Sequence, residues 1–301
     1  MELRHLRYFA AVADELHFTR AAERLHISTP SLTKQIQQLE HGLGALLFVR
    51  TKRKVSLTDA GMRFFEEARR TLQQAEHAEL VAKLAGRGEL GSIKIGYVSS
   101  AACTGALAAA VASYRVSHPL VSLSVVKLQS PDQLVQLSEG RLDIGFVRPP
   151  AQYPVGISGL VVVRQPIIIA LPRAHKLAAL KSIPAAMLAG ERFIAPTNET
   201  ELGMFQHTAA VGQKGKFTAH IVERIPDLFT TVALVAAGVG VAVVPQSCSC
   251  IQIPGVAYKP LSGRTKPAEM VAAFRRDERS PAVMAFIQQV RNQATKLSRA
   301  I

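Results

Sequence analysis

Residues 18–43 read FTRAAERLHISTPSLTKQIQQLEHGL, and the rest of the chain is organised around them. The stretch predicts two short helices about a tight turn. Thr19 is placed to cap the first, and Ala21, Ala22 and Leu25 share a face small enough for a second helix to come close. His26-Ile27-Ser28 makes the turn, Ser28 or Thr29 offers a capping hydroxyl, and Pro30 suits a first helical turn. Leu32, Ile36 and Leu39 then recur at the helical period and face inward. The opposite face carries Ser31, Thr33, Lys34, Gln35, Gln37 and Gln38, which can donate to phosphates and read base edges in a major groove. This is the pattern of a helix-turn-helix with its recognition helix, against the plainer alternative of a solvated helical hairpin.

The residues immediately downstream favour the helix-turn-helix. Residues 46–49 (LLFV) predict a short buried strand, residues 50–54 (RTKRK) a basic tip, and Val55-Ser56-Leu57 a returning strand. A basic hairpin directly after a recognition helix is a wing able to grip sugar-phosphate backbone. Residues 1–61 as a whole resemble the N-terminus of LysR-type transcriptional regulators. The matching pieces are LRYFAAVAD, FTRAAERL, STPSLTKQI, LEHGLGALLFVR and LTDAG, at consistent spacing. The resemblance implies base and backbone contacts from Thr29, Pro30, Ser31, Thr33, Lys34 and the wing residue Arg53. At Thr29 the family usually has Gln. It also implies double-stranded promoter DNA and RNA polymerase as partners, and assembly as a homodimer or homotetramer.

Composition sets the outer limits. With 301 residues the chain can build two or three cores, and 48% hydrophobic against 19% charged residues is a globular balance. Glu2, Arg4, Arg7, Asp14 and Glu15 leave no apolar core for a signal peptide, and no apolar run is long enough for a membrane span. The expectation is a soluble cytoplasmic protein. The net charge of +14 suits polyanionic partners, yet residues 1–87 hold 14 Lys and Arg against 10 Asp and Glu. The remaining residues hold 22 against 12, so most of the excess lies outside the helix-turn-helix. It suits an anionic small molecule, further DNA wrapping, or solubility.

Along the chain, Thr58 is expected to cap a long helix from Asp59 to Ala85. Its Phe65, Ala68, Leu72 and Ala75 form a seam suited to a partner helix. Residues 86–89 (GRGE) break it as a hinge. Beyond, strands at 92–98, 121–128, 142–147, 161–171, 192–195 and 240–244 alternate with helices at 104–117, 133–139 and 227–237. Such alternation argues for mostly parallel, doubly wound α/β sheets. The family resemblance implies a two-lobed, type 2 periplasmic-binding-protein-like effector domain, with GRLDIGFVR and LVAAGVGVAVVP as its strands. The expected division is 1–58 for the winged helix-turn-helix, 59–88 for the linker helix and hinge, and 89–301 for the effector domain. Lobe I would hold 90–162 and 267–301, and lobe II 163–266.

Ligands of open α/β sheets bind beyond the carboxyl ends of strands, near helix N-termini. Ser99 and Ser100 after the first strand, Ser130 after the second and Thr197 with Asn198 after the Arg192–Ala195 strand meet that rule. Taken alone, each hydroxyl reads more readily as an ordinary helix cap. Arg148 is placed to supply a counter-charge and Phe205 to pack on an apolar body, so the expected effector is a small carboxylate. The opening MELRHLRYFAAV is particularly similar to the benzoate- and muconate-responsive branch of the family. Cys248-Ser249-Cys250 lacks further ligands at metal spacing, so no metal or other cofactor is expected. Cys103, near a predicted helix N-terminus, reads first as a small core residue and second as a redox-sensing thiol. A solute-binding protein is disfavoured by the N-terminal half. An enzyme is disfavoured because no GxSxG, HExxH or GxxxxGK[ST] pattern occurs.

Overall fold

The computed structural model describes residues 1–51, 54–150, 152–197 and 203–299, with side chains to residue 294. It divides into two units, Met1–Leu84 and Ala85–Ile301.

The first unit runs α1 (Leu3–Glu15), α2 (Phe18–Arg24), α3 (Thr29–Leu43), β1 (Phe48–Arg50), β2 (Val55–Leu57) and α4 (Asp59–Gly86). Leu6, Phe9 and Val12 of α1 are buried with Ala21 and Ala22 of α2 and with Leu32, Ile36 and Leu39 of α3. The alanines do what their size allows, letting α2 and α3 close over α1. The α2 cap is His17 rather than Thr19, because the helix already starts at Phe18; the His17 ring accepts from the Arg20 amide at 3.4 Å. Ser28 caps α3, accepting from the Ser31 amide, so Thr29 falls inside the helix. Gly44, with φ +66, ends it in the left-handed conformation.

The LTDAG segment has a packing role. The Thr58 hydroxyl donates to the Leu46 carbonyl at 2.7 Å and accepts from the Gly61 amide at 2.8 Å. A Cβ on Gly61 would stand 2.0 Å from the Leu47 carbonyl oxygen, so only glycine lets α4 start this close to the chain entering the wing. The seam read on α4 is largely used internally. Ala68 is buried, and Phe65 and Leu72 pack on the helix-turn-helix core instead of being free for a partner helix. The apolar side chains left on the last turns of α4 are Leu80, which is exposed, and half-buried Val81 and Leu84.

The second unit contains β3 (Gly91–Tyr97), α5 (Ser99–Cys103), α6 (Ala106–Ser117), β4 (Val121–Lys127), α7 (Ser130–Ser138), β5 (Ile144–Val147) and β6 (Ile157–Gln165). It continues with β7 (Ile167–Pro172), β8 (Arg192–Pro196), α8 (Met204–Gly215), β9 (His220–Ile225), α9 (Leu228–Ala236), β10 (Ala242–Pro245), β11 (Val256–Pro260), β12 (Ala268–Arg275) and α10 (Pro281–Arg299). One sheet has the order β4-β3-β5-β12-β6, and another the order β10-β7-β11. A parallel β8-β9 pair joins the second through a Phe193–Val241 bridge.

The sheets are more mixed than the alternation suggested. β3 pairs in parallel with β4 and β5, but β12 is antiparallel to β5 and β6, and β7 is antiparallel to β10 and β11. The antiparallel strands come from the crossovers. The apolar run at 161–171 is two strands, because Pro166 lacks an amide and interrupts the ladder between β6 and β7. β6 stays in the five-stranded sheet through Gln165, opposite Ala268, so the step between sheets falls at Pro166. The helix read at 104–117 is one helix that starts at Ala106, after Gly105 with φ +74, and a separate short helix, α5, precedes it. At the entrance to the unit Gly88, with φ +74, lies against Pro281 and Ala282, where a Cβ would meet the backbone at 2.7 Å. Tyr114 of α6 donates to the Ala282 carbonyl at 2.8 Å and fixes α10 over the first sheet.

Candidate functional site

Two surfaces carry the chemistry, one in each unit. In the first unit α3 presents exposed Pro30, Ser31, Lys34, Gln37 and Gln38, with Thr29, Thr33 and Gln35 half-buried beside them. The Thr33 hydroxyl donates back to the Thr29 carbonyl at 2.9 Å, and Gln35 is held by His5 at 3.1 Å and Gln38 at 3.2 Å. Lys34 is the cation of this face, a charge suited to phosphate. β1 and β2 form the wing hairpin, closed by the Thr51 amide donating to the Lys54 carbonyl at 2.9 Å. Arg53 lies outside the described residues.

The wing is joined to α3 by a carboxylate that periodicity does not reveal. Glu40 is buried, and one oxygen accepts from the Leu47 and Phe48 amides at 2.9 and 3.1 Å. The other receives the Arg50 guanidinium at 2.8 Å, which also lies over the Phe18 ring at 4.7 Å. The end of α3 thereby sets where the wing begins.

In the second unit a cavity of about 620 Å³ opens beyond the carboxyl ends of β3, β4, β5 and β8. Ser99 and Ser100 from α5, Ser130 from α7 and Arg148 beyond β5 line it together. The Ser130 hydroxyl accepts from the Arg148 amide at 3.0 Å and so locks the arginine's backbone. The Arg148 guanidinium is buried and gives one hydrogen bond, from Nη1 to the Glu269 carbonyl at 2.8 Å. Its Nε and Nη2 are buried without a partner, and among the described residues no carboxylate pairs with it. Burial pulls its pKa down to about 10, against the opposing pull of the Cys248 and Cys103 thiols. Burial, followed by the charges of Arg148 and Lys266, pushes His207 down to about 4, so this imidazole is neutral at pH 7.

Thr197 and Phe205 are not brought into the cavity. Along β8 the alternate residues Ile194 and Pro196 face it, and Thr197 falls on the other parity, exposed, with its amide donating to the Ile225 carbonyl at 3.2 Å. Gly203 and Met204 line the wall, whereas Phe205 lies under the Arg224 guanidinium at 5.2 Å. One helical residue turns a side chain by about 100°. Asn198 lies outside the described residues.

Residues 3–62 match the family model of the bacterial regulatory helix-turn-helix protein, lysR family, and residues 86–295 match that of the LysR substrate binding domain. The chain belongs to the LysR family of transcriptional regulators. It is 35% identical over 298 residues to the Hca operon transcriptional activator HcaR of Escherichia coli (strain K12), covering 99% of this chain and all of that one. It is 34% identical over 294 residues to the HTH-type transcriptional regulator CatR of Pseudomonas putida, covering 98% of this chain and all of that one. Among solved structures, full-length CbnR complexed with its target DNA is similar at a TM-score of 0.85 and 27% identity, over 98% of this chain and all of that one. The chain is thus a regulator with DNA-binding and effector-binding domains, and its relatives are named as transcriptional regulators rather than enzymes.

Several cavity residues of this LysR-type regulator escaped the sequence reading. Gln129 lines the cavity and donates to the Pro226 carbonyl at 3.0 Å, linking the two sheets at the cavity edge. Asp227 caps α9, accepting from the Thr230 amide at 2.9 Å. Burial opposes its ionisation, but Thr230 and Lys127 outweigh burial and hold the carboxyl below its ordinary value. Asp227 stands between the end of β9 and the start of α9, the same kind of strand-end position as Ser99. Among the described residues no group of three or more His, Cys, Asp or Glu is arranged to hold a metal ion, and no helix is long and apolar enough to cross a membrane.

Proposed function

We propose that this regulator binds double-stranded promoter DNA as a homodimer or homotetramer, and that a small carboxylate seated against Arg148 switches its action on RNA polymerase. One observation carries the reading: a buried guanidinium in a cavity, with Nε and Nη2 unpartnered. Removing a cation from water costs several kcal/mol unless an anion answers it. A carboxylate supplies the two-pronged acceptor that the guanidinium fork fits. The other walls, including Val98, Leu128, Leu134 and Val244, suit an aromatic or conjugated body. Because the cavity lies between the two sheets, a ligand that prefers one arrangement of them shifts the population toward it. Thr29, Pro30, Ser31, Thr33, Lys34 and Arg53 are the proposed DNA contacts. Leu80, Val81 and Leu84 of α4 are the proposed start of the self-association seam.

The test uses the full-length protein and duplex DNA selected by it from a random pool, with affinity followed by fluorescence anisotropy. Lys34→Ala should weaken binding and reduce the slope of log K against log salt by about 1. Benzoate or muconate should change wild-type DNA affinity by about fivefold or more. Arg148→Met should keep basal DNA affinity and lose the response. An undiminished response in Arg148→Met would overturn the assignment of the anion site.

A further inference from the structure

The three cysteines of the chain converge. Cys103 closes α5, which packs on the 3-10 turn Gln246–Cys250. Cys103 ends α5 and also stands just before α6, which begins at Ala106, as expected. Its thiol interacts with those of Cys248 and Cys250, near the Arg148 guanidinium. The Cys103 sulfur also lies 3.9 Å from the Ser99 carbonyl oxygen of its own helix. All three thiols are free; Cys248 is buried, Cys103 half-buried and Cys250 exposed.

The turn that carries two of them is anchored at the crossover between the sheets. The Ser247 amide donates to the Gln165 side chain at 2.7 Å, and the Gln246 amide to the Pro166 carbonyl at 2.9 Å. Pro245 immediately before the turn and Ser99 and Ser100 at the start of α5 line the cavity. A bond between α5 and this turn would therefore join the two sheets beside the cavity. Hydrogen bonding from Cys248, then from Cys250, and the Arg148 charge outweigh burial and hold Cys103 down to about 6. The same contact and burial push Cys248 up, and burial and Cys103 push Cys250 up. Cys103 is thereby the most acidic thiol of the three and the nucleophile of the group.

We propose that Cys103, Cys248 and Cys250 form a redox-reactive site that takes a hydroperoxide as oxidant and closes a Cys103–Cys248 disulfide between α5 and the crossover turn. The Cys103 thiolate attacks one peroxide oxygen; the S–O bond forms, the O–O bond breaks, and the alkoxide leaves as an alcohol after taking a proton. Cys103 is oxidised by two electrons to the sulfenic acid and the peroxide is reduced. The Cys248 sulfur then attacks the Cys103 sulfur; the S–S bond forms, the S–O bond breaks, and hydroxide leaves with the Cys248 proton as water. Exposed Cys250 gives a reducing dithiol access by exchange, returning the pair to thiols. Closure removes the thiolate charge that faces Arg148. A cytosolic disulfide of this kind is a transient signal rather than a structural staple.

The test needs no effector, so its failure is separable from that of the carboxylate reading. Reduced full-length protein is treated with one equivalent of hydrogen peroxide, alkylated, digested without reductant and read by mass spectrometry. The expected product is a peptide pair joining Cys103 to Cys248, absent from Cys103→Ser and Cys248→Ser and reversed by dithiothreitol. In untreated wild type, iodoacetamide should alkylate Cys103 with a half-point near pH 6, against about 8.5 for an ordinary thiol. In Cys248→Ser, which retains the Cys103 sulfur, that half-point should rise. An ordinary alkylation profile in the folded wild type, or peroxide treatment that leaves Cys103 and Cys248 unlinked, would overturn the proposal.

Discussion

Arg50 at the root of the wing and Arg148 on the cavity wall each bring a guanidinium to the edge of a core, Arg50 still exposed and Arg148 buried, and the chain answers them in opposite ways. Arg50 meets the buried Glu40 carboxylate at 2.8 Å, and that carboxylate also takes two backbone amides. Arg148 has a single carbonyl as acceptor and two buried nitrogens with no hydrogen-bond partner among the described residues. The first arginine is part of a fastening whose counter-ion belongs to the chain. The second has no carboxylate opposite it among the described residues, and a cavity opens beside it. What distinguishes the fastening from the candidate site is where the opposing carboxylate comes from: Glu40 of the chain for Arg50, and none among the described residues for Arg148.

The largest effect that tests this contrast is at Glu40. Glu40→Ala should cost about 2 kcal/mol, because it leaves the Leu47 and Phe48 amides unanswered and removes the Arg50 ion pair. Urea unfolding of the purified protein measures it, and a loss below about 1 kcal/mol would show that the wing root holds without its carboxylate. A smaller pair of changes sharpens the comparison. Ser28→Ala removes the α3 cap and Ser130→Ala removes the acceptor of the Arg148 amide, each worth about 1 kcal/mol. Only Ser130→Ala should also weaken carboxylate binding, read by calorimetric titration. Equal ligand affinity in both variants would mean that Ser130 does not position the arginine.

The two units were unequally legible in the sequence. Helix periodicity placed Leu32, Ile36 and Leu39 inside and therefore put Lys34 and Ser31 outside, which is enough to draw α3. It could not see Glu40, a charged residue on the buried side whose partners are amides of the following strand. In the second unit the strand-end rule brought Ser99, Ser100, Ser130 and Arg148 to one cavity. It missed on Thr197 and Phe205, because the rule locates a strand end or a helix start, whereas one residue of parity or helical turn decides which side chain points in. The meeting of Cys103 with Cys248 was beyond local pattern altogether. It depends on how α5 and the Gln246–Cys250 turn pack across the crossover, and no spacing in the chain records that.

The most direct measurement is the unfolding free energy of wild type and Arg148→Met, each without ligand and with benzoate or muconate at about one hundred times the wild-type dissociation constant. Without ligand the variant should be at least as stable as wild type, since an apolar side chain replaces a buried guanidinium whose Nε and Nη2 have no hydrogen-bond partner among the described residues. With ligand the wild type should gain about 2.7 kcal/mol and the variant almost nothing. A ligand-free loss in Arg148→Met as large as that in Glu40→Ala would contradict the account, because Arg148 would then be a fastening like Arg50.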